Sequence, residues 1–380
     1  MTWHPEGMEP RIRDVEADVF ALATDMPGGD GTLTWDSTTM VVVEVMDDSG
    51  ESGLGYTYGA AAAAAVVKRL LRPVVVGRGV DEPRAAWNDF VALIRNAGRP
   101  GIGATAISAL DMALWDLKAR RADQALFVHL GAARHEVPIY GSGGLTTYSD
   151  EQLTTQLRGW VEGGIPRVKM KVGKDWGRSA DEDVRRVAAA RRAIGPEAAL
   201  FVDANGAYTT KQAVAQARRF AEHGVTYFEE PVSSDQLEQL ALVRGRIDMT
   251  VAAGEYGFDP WYFRQLLDAG AVDIVQADAT RCLGVTGWLM AADLAYAAGL
   301  PLSAHCAPAI HSQLGCVAPA VAHIEYFHDH VRMESMLFEG VLAPSGGCLR
   351  PDPLRPGLGL KLRPDAAERL RQDAPGGRTK

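Results

Sequence analysis

The alternation of hydrophobic and polar positions changes character along this chain. "RIRDVEADVFAL" and "STTMVVVEVMDDSGESGLGYTYG" alternate with a period of two, which predicts strands with one buried face. Inside the second run, "DDSG" carries the Asp/Ser/Gly chemistry of a tight turn and predicts a hairpin. Between the two runs, "TDMPGGDGTLTWD" predicts a Gly-rich loop. Alanines then open a helix in "AAAAAAVVKRLLRPVVVG", where propensity and core packing both favour it. "ATAISALDMALWDLKARRA" sets Ile107, Leu110, Leu114 and Leu117 at helical spacing and predicts an amphipathic helix. Up to about residue 130 the pattern is that of an α+β module.

From about residue 136 short apolar, β-branched runs alternate with helix-length segments. The runs are "VPIYGSG", "RVKMKVG", "ALFVDAN", "VTYFEEP", "MTVAAGE", "VDIVQAD", "LPLSAHC" and "VAHIEYF". Amphipathic stretches such as "DEDVRRVAAARRAIG" and "TKQAVAQARRFAEHG" separate them, often closed by a glycine. This is the pattern of an α/β fold built as a parallel barrel. An open doubly wound sheet is the alternative, but no GxGxxG follows the first strand.

Composition narrows the function classes. At 380 residues the chain is long enough for a barrel with an added module. A net charge of -9 with no basic run argues against nucleic-acid binding. No apolar run is long enough for a membrane span. "MTWHPEGMEPRIRD" has neither the basic nor the apolar region of a secretory signal. Cys282, Cys306, Cys316 and Cys348 show no CxxC spacing, so they read as buried, reduced thiols of a cytoplasmic protein.

The predicted strands nearly all end in a polar residue: Lys169 and Lys171, Asp203 with Asn205, Glu229, Glu255, Asp278, His305 and Glu325. Asp203 to Glu229 and Glu229 to Glu255 are both steps of 26 residues, and Asp278 to His305 is 27, one βα unit each. Equivalent positions at the C-terminal mouth of a barrel are where such folds carry chemistry. Three converging carboxylates repel unless a cation balances them, and an all-oxygen set suits Mg²⁺. In "RVKMKVG", Lys169 and Lys171 point to one side of their strand. A like charge and a metal nearby would lower their pKa toward that of a base. Asp278 would orient His305 on the other flank, and a protonated Glu325 would donate to a substrate carboxylate. Such a site is built to remove a proton alpha to a carboxylate while a divalent ion stabilises the enediolate.

These residues resemble the enolase superfamily, specifically its mandelate racemase subgroup within the mandelate racemase/muconate lactonizing enzyme family. "AISALDMALWDLKARRADQALFVHLG" is similar to the family's capping-domain helix and "KMK" to its KxK motif. "VDANGAY", "FEEP" and "AAGE" resemble its metal-ligand strand ends, and "VQADATRCLGVTGW" and "SAH" its Asp and His strands. The resemblance implies a modified (β/α)7β TIM barrel over 134–345 and an N-terminal α+β capping domain over 1–133, completed by 346–380. It implies Mg²⁺ on Asp203, Glu229 (rather than Glu230) and Glu255, with Lys171 and His305–Asp278 as the two acid/base groups. Lys169 would contact the substrate carboxylate, Glu325 would assist as an electrophile, and Asn205 is a further candidate substrate contact. It also implies a homo-oligomer, with cap loops at about 24–35 and 54–61 choosing a small carboxylate substrate. "HIEYFHDH" does not resemble the last strand of mandelate racemase itself, which counts against a narrow mandelate specificity.

Two reactions use this residue set. One is dehydration of an acid sugar to a 2-keto-3-deoxy acid; the other is racemisation or epimerisation of an α-hydroxy acid. The polar cap loop favours the hydroxylated acid and the first reaction. A cycloisomerase ranks third, and a non-catalytic metal-binding scaffold is disfavoured by the complete set of acid/base residues.

Overall fold

The computed structural model describes residues 10–372; the start of "MTWHPEGMEPRIRD" and the tail of the 346–380 segment lie outside the described residues. Strands β1 (Ile12–Gly29), β2 (Thr34–Asp47) and β3 (Ser52–Tyr58) form an antiparallel sheet in that order. At the predicted hairpin turn the Asp47 carboxylate accepts from the Ser49 and Glu51 amides, both at 2.9 Å. The predicted Gly-rich loop over 24–36 is a different object. After a bulge between Ala23 and Gly28, β1 and β2 stay paired to Gly29↔Thr34, leaving a turn of only four residues from Asp30 to Leu33. The Asp30 carboxylate pins that turn by accepting from the Thr32 and Leu33 amides at 2.6 and 2.8 Å. Gly28 serves close approach, since a Cβ there would meet the Trp35 indole at 2.4 Å.

The helix Ala104–Arg121 forms where periodicity placed it but is not amphipathic. Ile107, Leu110, Leu114 and Leu117 are buried, and so are Asp111, Met112, Trp115 and Asp116 around the other side. One flank lies on the cap sheet so tightly that a Cβ on Gly55 would meet the Ala109 carbonyl at 2.1 Å. The other meets the helix Gly284–Ala297, where Trp115 donates to Thr286 at 2.9 Å and Asp111 accepts from the Thr286 amide at 2.9 Å.

All eight apolar runs are strands: β4 (Val137–Gly143), β5 (Arg167–Lys171), β6 (Ala199–Asp203), β7 (Val225–Glu229), β8 (Thr250–Ala253), β9 (Ile274–Ala277), β10 (Leu302–Ala304) and β11 (Val321–Phe327). They pair in parallel, and β11 returns to β4, closing the barrel and excluding the open sheet. Helices fill the crossovers; those at Asp150–Glu162 and Thr210–Ala221 start with capping boxes at Ser149 and Thr209. Inside the barrel Tyr140, Phe201 and Tyr227 form an aromatic plug, with Phe201 stacked on Tyr227 at 4.5 Å between centroids. The plug shuts water out from below the mouth. After Leu337, Phe338–Glu339 pairs with Lys361–Leu362, and Cys348–Leu349 runs antiparallel to β4. All four cysteines are free; Cys348 is half-buried, not buried as expected.

Candidate active site

The parallel register sets the site. Lys171 pairs with Asp203 and Asp203 with Glu229, so these three stand on one rung at the ends of β5, β6 and β7. Glu255, Asp278 and His305 follow one or two residues after β8, β9 and β10. Glu325 reaches the same floor from within β11. All are buried: Lys169, Asp203 and Glu229 are 0% exposed, while Lys171 at 6% and His305 at 5% reach the surface of a cavity.

Carboxylate oxygens of Asp203, Glu229 and Glu255 lie within 4.8 Å of one another. Oε1 of Glu229 is buried with no hydrogen-bond partner, as expected of an atom that faces a ligand. Burial and the charge of Asp203 push the Glu229 carboxyl up to about 8, the mark of anions crowded without enough cation. An all-oxygen donor set with an orphaned oxygen fits Mg²⁺. Glu230 turns away at φ 36°; its Oε1, also without a partner, lines a neighbouring cavity of about 460 Å³.

Lys171 contacts Asp203 directly. Lys169 sits one rung deeper, with its ammonium 2.6 Å from Glu229, 2.8 Å from Glu325 and 5.2 Å above the Tyr140 ring. Its expected partner, a substrate carboxylate, would join or replace these contacts. With no divalent cation among the acids, the lysine pKa values move upward. Burial alone would lower both ammonium groups, but the carboxylates outweigh it and raise them, Asp203 for Lys171 and Glu229 for Lys169.

His305 Nδ1 lies 2.8 Å from Asp278, and its Nε2 lies 3.1 Å from Glu255. Burial alone would lower the imidazole's pKa, but Glu255 and Asp278 raise it well above the usual range. Asp278 is held low against its burial by His305 and accepts two further bonds from Thr280 at 2.7 Å. Glu325 is held by its neighbours on the floor. Burial would raise its carboxyl, yet Lys169 and His305 lower it, and it accepts from Ser142 at 2.5 Å and from the Cys306 amide at 3.1 Å. Asn205, at φ 44°, donates its amide N–H to Asp203 at 2.8 Å, and its buried Oδ1 has no partner between the two cavities.

Three groups of the floor were not singled out from sequence. Arg281 donates to the Glu255 carbonyl at 3.0 Å and lies 3.6 Å from Asp278, tying the two flanks together. Its place three residues after Asp278 was the available signal. Cys306 places its sulfur 3.2 Å from His305 Nε2, and Tyr256 lies under the Arg281 guanidinium at 5.0 Å.

Over the floor lies a cavity of about 280 Å³, at the small end of ligand sites. Its roof comes from the hairpin tip and β3, through Asp30, Trp35 and Tyr58, and from Phe327, Asp329 and His330 at the end of β11. The cap loop, polar in sequence, nevertheless brings Trp35 into the cavity beside Tyr58 and Phe327. The tip docks on the barrel: Gly29 O accepts from the Thr146 amide at 2.8 Å and Gly31 O from the Trp176 amide at 2.9 Å.

Comparison with known proteins agrees with this architecture. Residues 16–131 match the mandelate racemase/muconate lactonizing enzyme N-terminal domain, and 152–366 match the enolase C-terminal domain-like family. The chain is 29% identical over 336 residues to an arabinonate dehydratase of Saccharolobus solfataricus, covering 85% of this chain and 88% of the relative. It is 32% identical over 328 residues to a 3,6-anhydro-alpha-L-galactonate cycloisomerase of Streptomyces coelicolor, covering 85% and 89%. A crystal structure of a mandelate racemase/muconate lactonizing enzyme-like protein from Rubrobacter xylanophilus superposes with TM-score 0.92 at 49% identity, covering 96% of this chain and 100% of that one. L-talarate/galactarate dehydratase from Salmonella typhimurium, solved with magnesium and L-lyxarohydroxamate, gives TM-score 0.89 at 28% identity, covering 98% and 96%. No described helix is long and apolar enough to cross a membrane. A capped parallel barrel with carboxylates at its mouth, matched over both of its parts, places this chain in the mandelate racemase/muconate lactonizing enzyme family of the enolase superfamily, in the mandelate racemase subgroup.

Proposed function

We propose that the protein is a Mg²⁺-dependent dehydratase of acid sugars, forming a 2-keto-3-deoxy acid. The observation that carries this reading is the pairing of Lys171 and the His305–Asp278 dyad across one cavity, with Asp203, Glu229 and Glu255 between them. Relatives that are acid-sugar dehydratases support it.

Asp203, Glu229 and Glu255 would hold Mg²⁺, which would supply positive charge to stabilise the enediolate; with Asp203 engaged there, Lys171, now paired with it, would be free to act as a base. Lys171 then takes the proton from the α-carbon, leaving the electron pair in an enediolate. His305, protonated beside Asp278, gives its proton to the β-hydroxyl as the C–O bond breaks, so that water leaves. The enol that remains tautomerises to the ketone. Lys169 and Glu325 neutralise each other under the floor and fix its charge balance. Cycloisomerisation or inversion at the α-carbon draws on the same two acid/base groups, and the cycloisomerase relatives favour it as the second reading.

The test is a panel of mono- and diacid sugars assayed for keto-acid release by carbonyl trapping, and for α-hydrogen exchange in deuterated water. Release should need Mg²⁺ and stop in chelator. Exchange without a keto product would move the assignment to isomerisation, and full activity in excess chelator would remove the metal from the mechanism.

A further inference from the structure

Resting on the dehydratase reading, we propose that the cavity takes a sugar acid with one carboxylate, an aldonate, in preference to the matched diacid, an aldarate. The floor provides for one carboxylate end through the three-acid cluster and Lys171. The opposite end of the substrate faces the roof, and the roof offers neutral hydrogen-bond donors but no cation to a second anion.

Two roof residues are acids, Asp30 and Asp329, and no lysine or arginine joins them among the described residues lining that side. Of the cavity's cations, Lys171 stands on the floor as the proposed base beside Asp203, and Arg281 is committed to Glu255 and Asp278. His330 accepts from the Ala307 amide on Nδ1 at 3.3 Å and stacks on Tyr58 at 3.6 Å, so that nitrogen carries no proton. Arg332 stands behind the wall, 3.9 Å from Asp329, and does not line the cavity. Asp329 is buried at 3% exposure and accepts from the Trp35 indole at 3.4 Å.

A second carboxylate would shed water there beside two acids with no cation lining the cavity, a cost that neutral donors offset only in part. A terminal hydroxymethyl group, in contrast, can donate its O–H to either acid. Trp35, Tyr58 and Phe327 add apolar faces for the carbon-bound hydrogens of the chain.

The experiment compares gluconate with glucarate, and galactonate with galactarate, in Mg²⁺-dependent keto-acid release. The monoacid of an active pair should exceed its diacid in kcat/KM by roughly tenfold or more, given like charges in a partly desolvated site. Asp329→Asn should narrow that ratio several-fold. Asp30→Asn, which keeps an acceptor for the Thr32 and Leu33 amides, should narrow it too and covers the case in which the buried Asp329 variant fails to fold. Equal or inverted preference, or a ratio unmoved in both variants, overturns the proposal. Should no sugar release keto acid, the dehydratase reading fails by itself. Calorimetry of threonate against tartrate of matching configuration, each with Mg²⁺, then decides the charge preference separately. Tighter threonate supports it; tighter tartrate, or no binding of either, overturns it.

Discussion

The floor and the roof of the cavity are built on opposite principles. Apart from the half-buried Arg281, the charged groups of the floor are buried and ion-paired on or just after the barrel strands, so none moves without disturbing its neighbours. The roof is a four-residue turn with aromatic flanks, held to the barrel by a few backbone hydrogen bonds. The difference teaches where each property resides. Proton transfer depends on preorganised charge and belongs to the rigid part. Choice of acid depends on shape and far-end charge and belongs to the part that can be altered cheaply.

Breaking the floor should have the largest effect. Lys171→Ala should lower kcat by about 10⁴-fold or more while leaving the fold and Mg²⁺ binding nearly intact. Retained turnover would show that the amine is not the base. His305→Asn should remove dehydration by roughly 10²- to 10⁴-fold yet leave α-hydrogen exchange from the Lys171 side measurable by NMR in deuterated water. Loss of both would mean that the two groups act as one unit.

Perturbing the roof should be milder. A Cβ on Gly31 would meet the Ala204 carbonyl at 2.8 Å and the Gly173 carbonyl at 2.9 Å. Gly31→Ala should therefore lift the tip at a cost of about 1–3 kcal/mol, raising KM several-fold with kcat little changed. A fall in kcat with KM unchanged would contradict the division between roof and floor.

The effect with least bearing on turnover concerns the seam between cap and barrel, where Asp111 meets Thr286. Burial pushes Asp111 up to about 7, although its bonds from Thr286 oppose that. A carboxyl raised on folding stabilises the fold below its unfolded pKa, and that stability is lost as pH rises toward 7. Denaturant midpoints should fall over about pH 4–7 with a slope of at most about 1.4 kcal/mol per pH unit from this group. Asp111→Asn should flatten that part of the profile.

The barrel was legible because each βα unit repeats the same signals: an apolar run, a polar strand end, an amphipathic helix and a glycine. The strand-end positions of Asp203, Glu229, Glu255, Asp278 and His305 followed from that recurrence. The cap segments that carry Asp30, Trp35 and Tyr58 followed from the resemblance, but their meeting with Asp329 was not legible, since it comes from tertiary packing of segments up to 294 residues apart. The glycines of "PGGDG" read as a loop because close approach and a flexible turn look alike in sequence. The charge states of Lys169 and Glu325 depended on each other, 2.8 Å apart from distant strands, and no local pattern encodes that.

The helix Ala104–Arg121 has no solvent-facing stripe over most of its length, being clasped by the cap sheet on one flank and a barrel helix on the other. It acts as a shared axle rather than a hinge. Opening the active site to exchange substrate and product therefore falls to the hairpin tip alone, and turnover can proceed with the bulk of the cap stationary. Engineers seeking new substrates have about a dozen residues around that tip to rewrite, while the axle keeps the two halves in register.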